Sequence, residues 1–253
     1  FNRYKHGPDS LYNCIERGWK FYAERDYLAG LFYWTGFDYR GEPNPMTFPA
    51  TSSEFGILDY CGFPKDEAFY LKSWWTDEPV LHILPHWNWK DREGLVTPVY
   101  VFTSGDEGEL FLNGRSLGRQ RKQPGVWDRA YRLRWDDVKY EPGTLEVVVY
   151  RNGKEWARDT VKTTGAPAKL VLEAETDGVV SDGEDICYVN VSLRDAEGLV
   201  VPRVRNRVEF FISGPGEIVA VDNGDETDFA DFHSLKRKAF GGLAQAIIRP
   251  KEG

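Results

Sequence analysis

Read by its apolar and polar positions, the chain changes character at Pro79. Ahead of it the spacing is helical. Leu11, Ile15, Trp19, Phe21 and Tyr22 recur at intervals near three and four, which gives a helix within residues 8–29 one apolar face. Pro8-Asp9-Ser10 has the composition of a helix start, and Gly18 weakens the helix by ~1 kcal/mol relative to Ala. The aromatic run at residues 31–34, bounded by Gly30 and Gly36, reads as a short buried strand. A loop of about nineteen residues follows, 35–53, with Pro43, Pro45 and Pro49. Loops of that length are usually functional or disordered, and the aromatics and prolines argue against disorder. Glu54 opens a segment that can carry helix as far as Trp75. Within it, Pro64-Lys65-Asp66-Glu67 suits a first helical turn, where the missing N–H and the acids fit the helix end.

Beyond Pro79 the grammar is that of short strands. Runs at 80–84, 99–103, 109–112, 131–135 and 145–150 are separated by Gly, Asn and Asp turns. Asn113-Gly114 and Asn152-Gly153 each sit between two such runs, and a type I′ hairpin turn needs positive φ at both of its central residues. A linker near Thr164 leads to a second set at 170–174, 188–193, 208–213, 217–221 and 243–249. Many short strands with regular turns predict antiparallel sandwiches of the immunoglobulin-like kind, though no cysteine pair of the antibody type is present. The expected organisation is therefore mainly β with a small α/β part: 1–78 as the α/β piece, 79–164 as the first sandwich and 165–253 as the second.

Helix, buried strand, polar loop, helix is the repeating unit of parallel α/β proteins. Functional groups of such units gather where the strand ends and the loop begins. That edge carries Trp34, Asp38 and Glu42, a flat ring and two carboxylates suited to binding sugar. Retaining glycoside hydrolysis needs two carboxyl groups ~5–5.5 Å apart. Asp38, Glu42, Glu54 and Asp59 are the candidates, and spacing alone nominates Asp38 with Glu54.

The segments "AGLFYWTGFDYRGEPNP", "SSEFGILDYCGFPKDEAFYLKSWW" and "HILPHWNW" occur in that order, and "ELFLNGRSLG" and "ISGPGEIVAVDNGDETDF" follow them. The chain thereby resembles the C-terminal part of glycoside hydrolase family 2 in its bacterial β-galactosidase branch, over nearly its whole length. The resemblance implies that 1–78 is the last β/α portion of a (β/α)8 TIM barrel and that the sandwiches are accessory domains. It places both catalytic glutamates upstream of Phe1, so no catalytic residue is expected here and the chain alone is expected to be inactive. It makes Trp34 the floor of a galactose subsite, an indole plane against the C–H face of the sugar. Asp38 either bonds sugar hydroxyls or caps a turn before Gly41, and Glu42 leans toward fixing the loop. The implied partners are a β-galactoside or related oligosaccharide and the remainder of the parent chain, in a periplasmic or secreted setting, with no cofactor. The alternative is a non-catalytic carbohydrate-binding or assembly module built from the sandwiches.

Composition narrows the field. The net charge of −8 argues against nucleic acid, and no apolar run approaches the ~18–20 residues of a membrane helix. Nine Trp in an aromatic content of 15% supply core and spare sugar-facing surface alike. Cys14, Cys61 and Cys187 lie far apart, which favours free thiols over a zinc site, with a Cys14–Cys61 pairing still open. The start at Phe1 without Met suggests a piece of something longer. His82, His86, Trp87 and Trp89 form a cluster expected to pack, since Pro85 between the histidines misaligns them for a shared metal. Residues 222–228 are acidic and turn-rich, either a solvated loop or a calcium loop. Asn190-Val191-Ser192 matches a glycosylation triplet inside a predicted strand. Arg115, Arg119, Arg121 and Lys122 read as a solvated hairpin face.

Overall fold

The computed structural model describes residues 11–43, 46–126 and 128–251, with the side chains of 11–14 left aside. The predicted helix start at Pro8-Asp9-Ser10 and the side chain of Cys14 lie outside what is described. The chain forms two compact units. The first comprises Phe1–Trp34 and Pro64–Thr163; the second comprises Thr35–Phe63 and Thr164–Gly253.

The first unit is a sandwich with a helix packed on one of its sheets. Helix α1 spans Leu11–Ala23, and the packed helix, α2, spans Asp66–Trp75. The strands are β1 (Leu81–Leu84), β2 (Val99–Thr103), β3 (Glu107–Leu112), β4 (Arg115–Arg121), β5 (Leu133–Trp135), β6 (Thr144–Arg151) and β7 (Lys154–Lys162). They pair antiparallel as a three-stranded sheet in the order β1-β2-β5 and a four-stranded one in the order β4-β3-β6-β7. Between them Val99, Val101, Leu110, Leu133, Trp135, Val147 and Trp87 make one apolar cluster.

Every residue of β2 is buried, because both faces of the strand are covered. Val99 and Val101 point into the sandwich, whereas Phe102 meets Tyr70 of α2 edge-on, ring centroids 5.1 Å apart. A continuous apolar run is what a strand covered on both sides requires. The hairpins β3–β4 and β6–β7 turn on Asn113 (φ 51°) with Gly114 (φ 79°), and on Asn152 (φ 53°) with Gly153 (φ 76°), the two positive-φ pairs expected of type I′.

Residues 31–34 are not a strand. None of them takes part in a ladder or bridge among the described residues, and Phe32 is 98% exposed. A β-run is held by bonds to a neighbouring strand, so apolar composition alone does not make one. The second helix is also shorter than its segment: residues 54–65 are loop, and helix begins at Asp66, beyond Pro64.

In the second unit, β8 (Lys169–Ala174), β9 (Cys187–Arg194), β11 (Gly216–Asp222) and β13 (Leu243–Pro250) form a four-stranded antiparallel sheet in the order β11-β13-β9-β8. β10 (Arg207–Glu209) and β12 (Lys236–Lys238) form a two-stranded ribbon. Val208 and Phe210 pack with Val191, Val221, Ala244 and Ala246 of the larger sheet.

Candidate functional site

The loop 35–63 belongs to the second unit and is fastened at many points. Phe37 bridges Leu58 in parallel and Arg40 bridges Ser52 antiparallel. The Gly41 N–H donates to Thr51 O (2.9 Å) and the Ser53 N–H to Tyr39 O (2.9 Å). Thr51 N–H donates to Glu226 O (3.1 Å), and Gln245 Nε2 donates to Cys61 O (2.8 Å). Cys61 is a buried free thiol, its pKa pushed up by burial and by the Asp59 and Asp222 carboxylates. Gly224 (φ 72°) lets the 222–228 turn approach Asp59, since a Cβ there would lie 2.3 Å from the Asp59 carboxylate.

Asp38 is only 8% exposed, and its Oδ1 accepts the Gly56 N–H at 2.8 Å. Its own N–H donates to Leu58 O (2.9 Å). Gly56 is pressed so closely onto this turn that a Cβ would sit 2.3 Å from Asp38 N. One oxygen of Asp59 accepts the N–H groups of both Cys61 (2.9 Å) and Phe63 (3.0 Å). These two carboxylates organise backbone. Glu42 is exposed and accepts the Tyr39 hydroxyl. Tyr39 in turn meets Phe55 edge-on at 5.7 Å. Trp34, in the first unit, is 73% exposed and offers a broad indole surface to solvent.

The other sequence candidates resolve into packing. His82 stacks on Phe69 (4.0 Å) and its Nε2 lies 2.7 Å from Asp66 Oδ1. His86 stacks on Trp89 (4.4 Å), and the buried Trp87 donates Nε1–H to Glu141 O (2.9 Å). In the 222–228 turn, Asn223 Nδ2 donates to Asp228 Oδ2 and Lys238 O, both at 2.8 Å. Asp225 Oδ1 accepts from the N–H and the hydroxyl of Thr227, and its other oxygen pairs with Arg205. Desolvation raises the Asp222 pKa. Asp222, Asp225 and Asp228 are thus engaged by protein donors, and among the described residues no group of three or more His, Cys, Asp or Glu is placed to hold a metal. The hairpin arginines face acids across the strands: Arg119 bonds Glu107 and Glu109, and Arg121 bonds Glu107. Asn190 donates to Glu175 (3.1 Å) and accepts from Gln245 (2.9 Å), with Val191 and Ser192 buried beside it.

Three features lie outside the sequence reading or correct it. Glu16 and Arg132 form a fully buried ion pair (3.4 Å) in the first unit, the guanidinium 4.8 Å from the Tyr100 ring. Lys122, expected on a solvated hairpin face, is largely withdrawn from solvent. Its Nζ donates to Thr103 O (2.6 Å) and lies 4.2 Å from the Trp74 ring. Burial brings its pKa down to about 7, against the opposing pull of Asp106. The third is a pair of exposed rings on the second unit, Phe48 and Phe229, with centroids 5.8 Å apart.

Residues 170–253 match the family described as Glycoside hydrolase family 2 C-terminal domain 5, and 94–157 match a domain of unknown function, DUF4982. The β-galactosidase BoGH2A of Bacteroides ovatus is 40% identical over 94% of the chain, which spans 27% of that protein. A β-glucuronidase of Formosa agariphila is 31% identical over 63% of the chain, 16% of that protein. Among solved structures, a β-glycosidase from Bacteroides vulgatus superposes with a TM-score of 0.86 at 31% identity, over 94% of this chain and 30% of that one. A family 2 glycosyl hydrolase from Bacteroides cellulosilyticus gives 0.85 at 28% identity, over 93% and 34%. The chain thus spans roughly a quarter to a third of these enzymes, 16% in the Formosa case.

Proposed function

Because the chain belongs to glycoside hydrolase family 2 and carries one of that family's C-terminal domains, we propose that it works as the C-terminal portion of a retaining β-galactosidase-type enzyme. In this reading residues 1–78 close the end of a catalytic barrel, and the two sandwiches are immunoglobulin-like braces. The acid/base and nucleophile glutamates are supplied by the preceding part of the parent chain. A periplasmic or secreted setting goes with this reading. The observation that supports it is the Trp34 indole, a large apolar plane that is 73% exposed to solvent. A pyranose ring has one face of C–H groups that such a plane desolvates, while the rim hydroxyls are left for polar partners. The same family motif carries Glu42, which is exposed, and Asp38, which holds its turn through the Gly56 N–H. Relatives carry both β-galactosidase and β-glucuronidase names. The galactoside reading is favoured by the more similar of the two.

The test has two arms. This chain alone is expected to release no chromophore from p-nitrophenyl β-D-galactoside, because loop carboxylates Asp38 and Asp59 are committed to backbone N–H groups. In an enzyme that contains the chain, Trp34→Ala should lower kcat/KM on β-galactosides by about 10- to 100-fold, each factor of ten being ~1.4 kcal/mol of transition-state binding. Unchanged kcat/KM in that variant removes Trp34 from the sugar site.

A further inference from the structure

The exposed Phe48–Phe229 pair is put to no use by the Trp34 reading. Phe48 is 84% exposed and Phe229 58% exposed, yet the two rings come from separate segments of the second unit and meet at 5.8 Å with a 41° tilt. Their backbones are tied together. Thr51 donates both its N–H (3.1 Å) and its hydroxyl (3.3 Å) to Glu226 O. The Arg40 guanidinium donates to Asp228 O (3.4 Å), the residue just before Phe229, and lies 4.6 Å from the Phe232 ring. Two apolar rings are thus held at the surface by a polar framework, and the Arg40 cation is bonded to the backbone next to Phe229.

We propose that this platform is a second saccharide-binding site. It takes one pyranose of an oligosaccharide on the shallow V between the two rings, with Arg40 facing that sugar's hydroxyls or carboxylate. Two rings of this size offer a few hundred Å² at most. A separate protein partner needs on the order of 1,200 Å², more than the two rings offer, whereas they match the apolar face of a single sugar ring. Burial of Phe48 by the remainder of the parent chain in an intact enzyme would overturn the reading. The tilt gives a corrugated surface that suits axial and equatorial C–H groups better than a flat aromatic base would. The inference stands independently of Trp34, because all of its residues belong to the second unit.

The experiment is saturation-transfer NMR on the full chain with two probes, a β-1,4-linked galactotetraose and a trigalacturonate, each titrated to about 20 mM, enough to saturate a Kd near 1 mM. At least one probe should receive saturation at its ring C–H protons. Over the titration Phe48→Ala and Phe229→Ala should each raise the Kd by about fivefold, the worth of one aromatic contact, and the double variant should raise it by about 25-fold. Both rings are exposed, so the variants should melt as the unaltered chain does. Arg40→Gln should weaken the trigalacturonate selectively if the bound sugar is a uronide, and affect both probes alike if it is neutral. Trp34→Ala should leave the signal intact. No transfer from either probe, a Kd unchanged in the double phenylalanine variant, or transfer lost only in Trp34→Ala would each overturn the proposal. The last outcome would leave the Trp34 reading standing.

Discussion

The two units solve the same problem, closing a small β-sandwich, by different means. In the first, large side chains fill the space. Trp87, Tyr100, Phe102, Tyr140 and Leu133 are all essentially inaccessible, and β2 has both faces covered. In the second, the core is a small set of Val and Ala with one Phe, and β8 is exposed along most of its length. What the second unit lacks in apolar volume is offset by polar fastening of the long loop to Glu226 and Gln245. Packing depends on volume and tolerates modest changes of shape, while fastening depends on a few bonds of fixed direction. The first unit should therefore fail through its interior and the second through its staples.

The largest effect should come from a buried ion pair, where the first unit departs from apolar filling. Glu16 and Arg132 are both buried, and removing either partner strands a charge in a medium that cannot solvate it. Glu16→Ala should destabilise the protein by about 3–5 kcal/mol in urea unfolding, the usual cost of orphaning a buried ion. The paired change Glu16→Met with Arg132→Met should recover most of that loss. If Glu16→Ala is as stable as the unaltered chain, the interior is wetter than its burial implies and the contrast between the units fails.

A smaller effect tests the same interior by pH. Lys122 has its pKa lowered to about 7, chiefly by burial, with Asp106 pulling it up and Arg151 pushing it further down. Between that value and its ordinary one near 10.5, the unfolded chain holds the proton and the folded chain does not. Stability contributed by this group must then rise with pH across the window, and the penalty is fully present below it. The buried Cys61 thiol is also raised and opposes the trend from about pH 8, and the phenols of Tyr60 and Tyr70 do so above pH 10, so the clean range is pH 7 to about 8. Over it the urea midpoint should climb by the equivalent of about 1 kcal/mol. Lys122→Met should flatten the rise. A flat profile in the unaltered chain would mean that the amine reaches water.

How much of this could be read from the chain follows the same division. Packing leaves a periodic trace. The runs at 99–103 and 145–150 became β2 and β6 nearly residue for residue, and both Asn-Gly turns took the φ values their hairpins demand. Fastening leaves none. The partner of Asp38 is the N–H of Gly56 and that of Gln245 is the carbonyl of Cys61, and no spacing rule links such distant positions. β12 went unseen because Lys-Arg-Lys has no apolar member, although Arg237 is wholly buried and donates to Val221 O. Residues 31–34 misled in the opposite sense, since an aromatic run satisfies strand propensity without a neighbour to pair with. At the site, Trp34 was legible as a residue type and through the family motif, whereas its exposure and the burial of Asp38 are properties of the folded loop.

The mildest perturbation probes a single staple. Gln245 lies on β13, buried among small residues, and its Nε2 bonds both Cys61 O (2.8 Å) and Asn190 Oδ1 (2.9 Å). Replacing it by Ala removes little volume compared with Trp87 in the first unit, but it leaves the buried Cys61 carbonyl and the half-buried Asn190 Oδ1 without their donor. A lost buried bond of this kind costs about 1–2 kcal/mol, less than orphaning an ion in the first unit. Its signature should be local. Amide hydrogen exchange should accelerate at Ser53, Leu58 and Asp59, whose N–H groups are bonded within the loop, while protection of β2 and β6 stays at its original level, because local opening draws on the least stable segment first. Gln245→Glu keeps the size and withdraws the donor, so it should reproduce the faster exchange. If exchange rises equally in β2 and β6, the two units unfold as one and the loop is held by more than its staples.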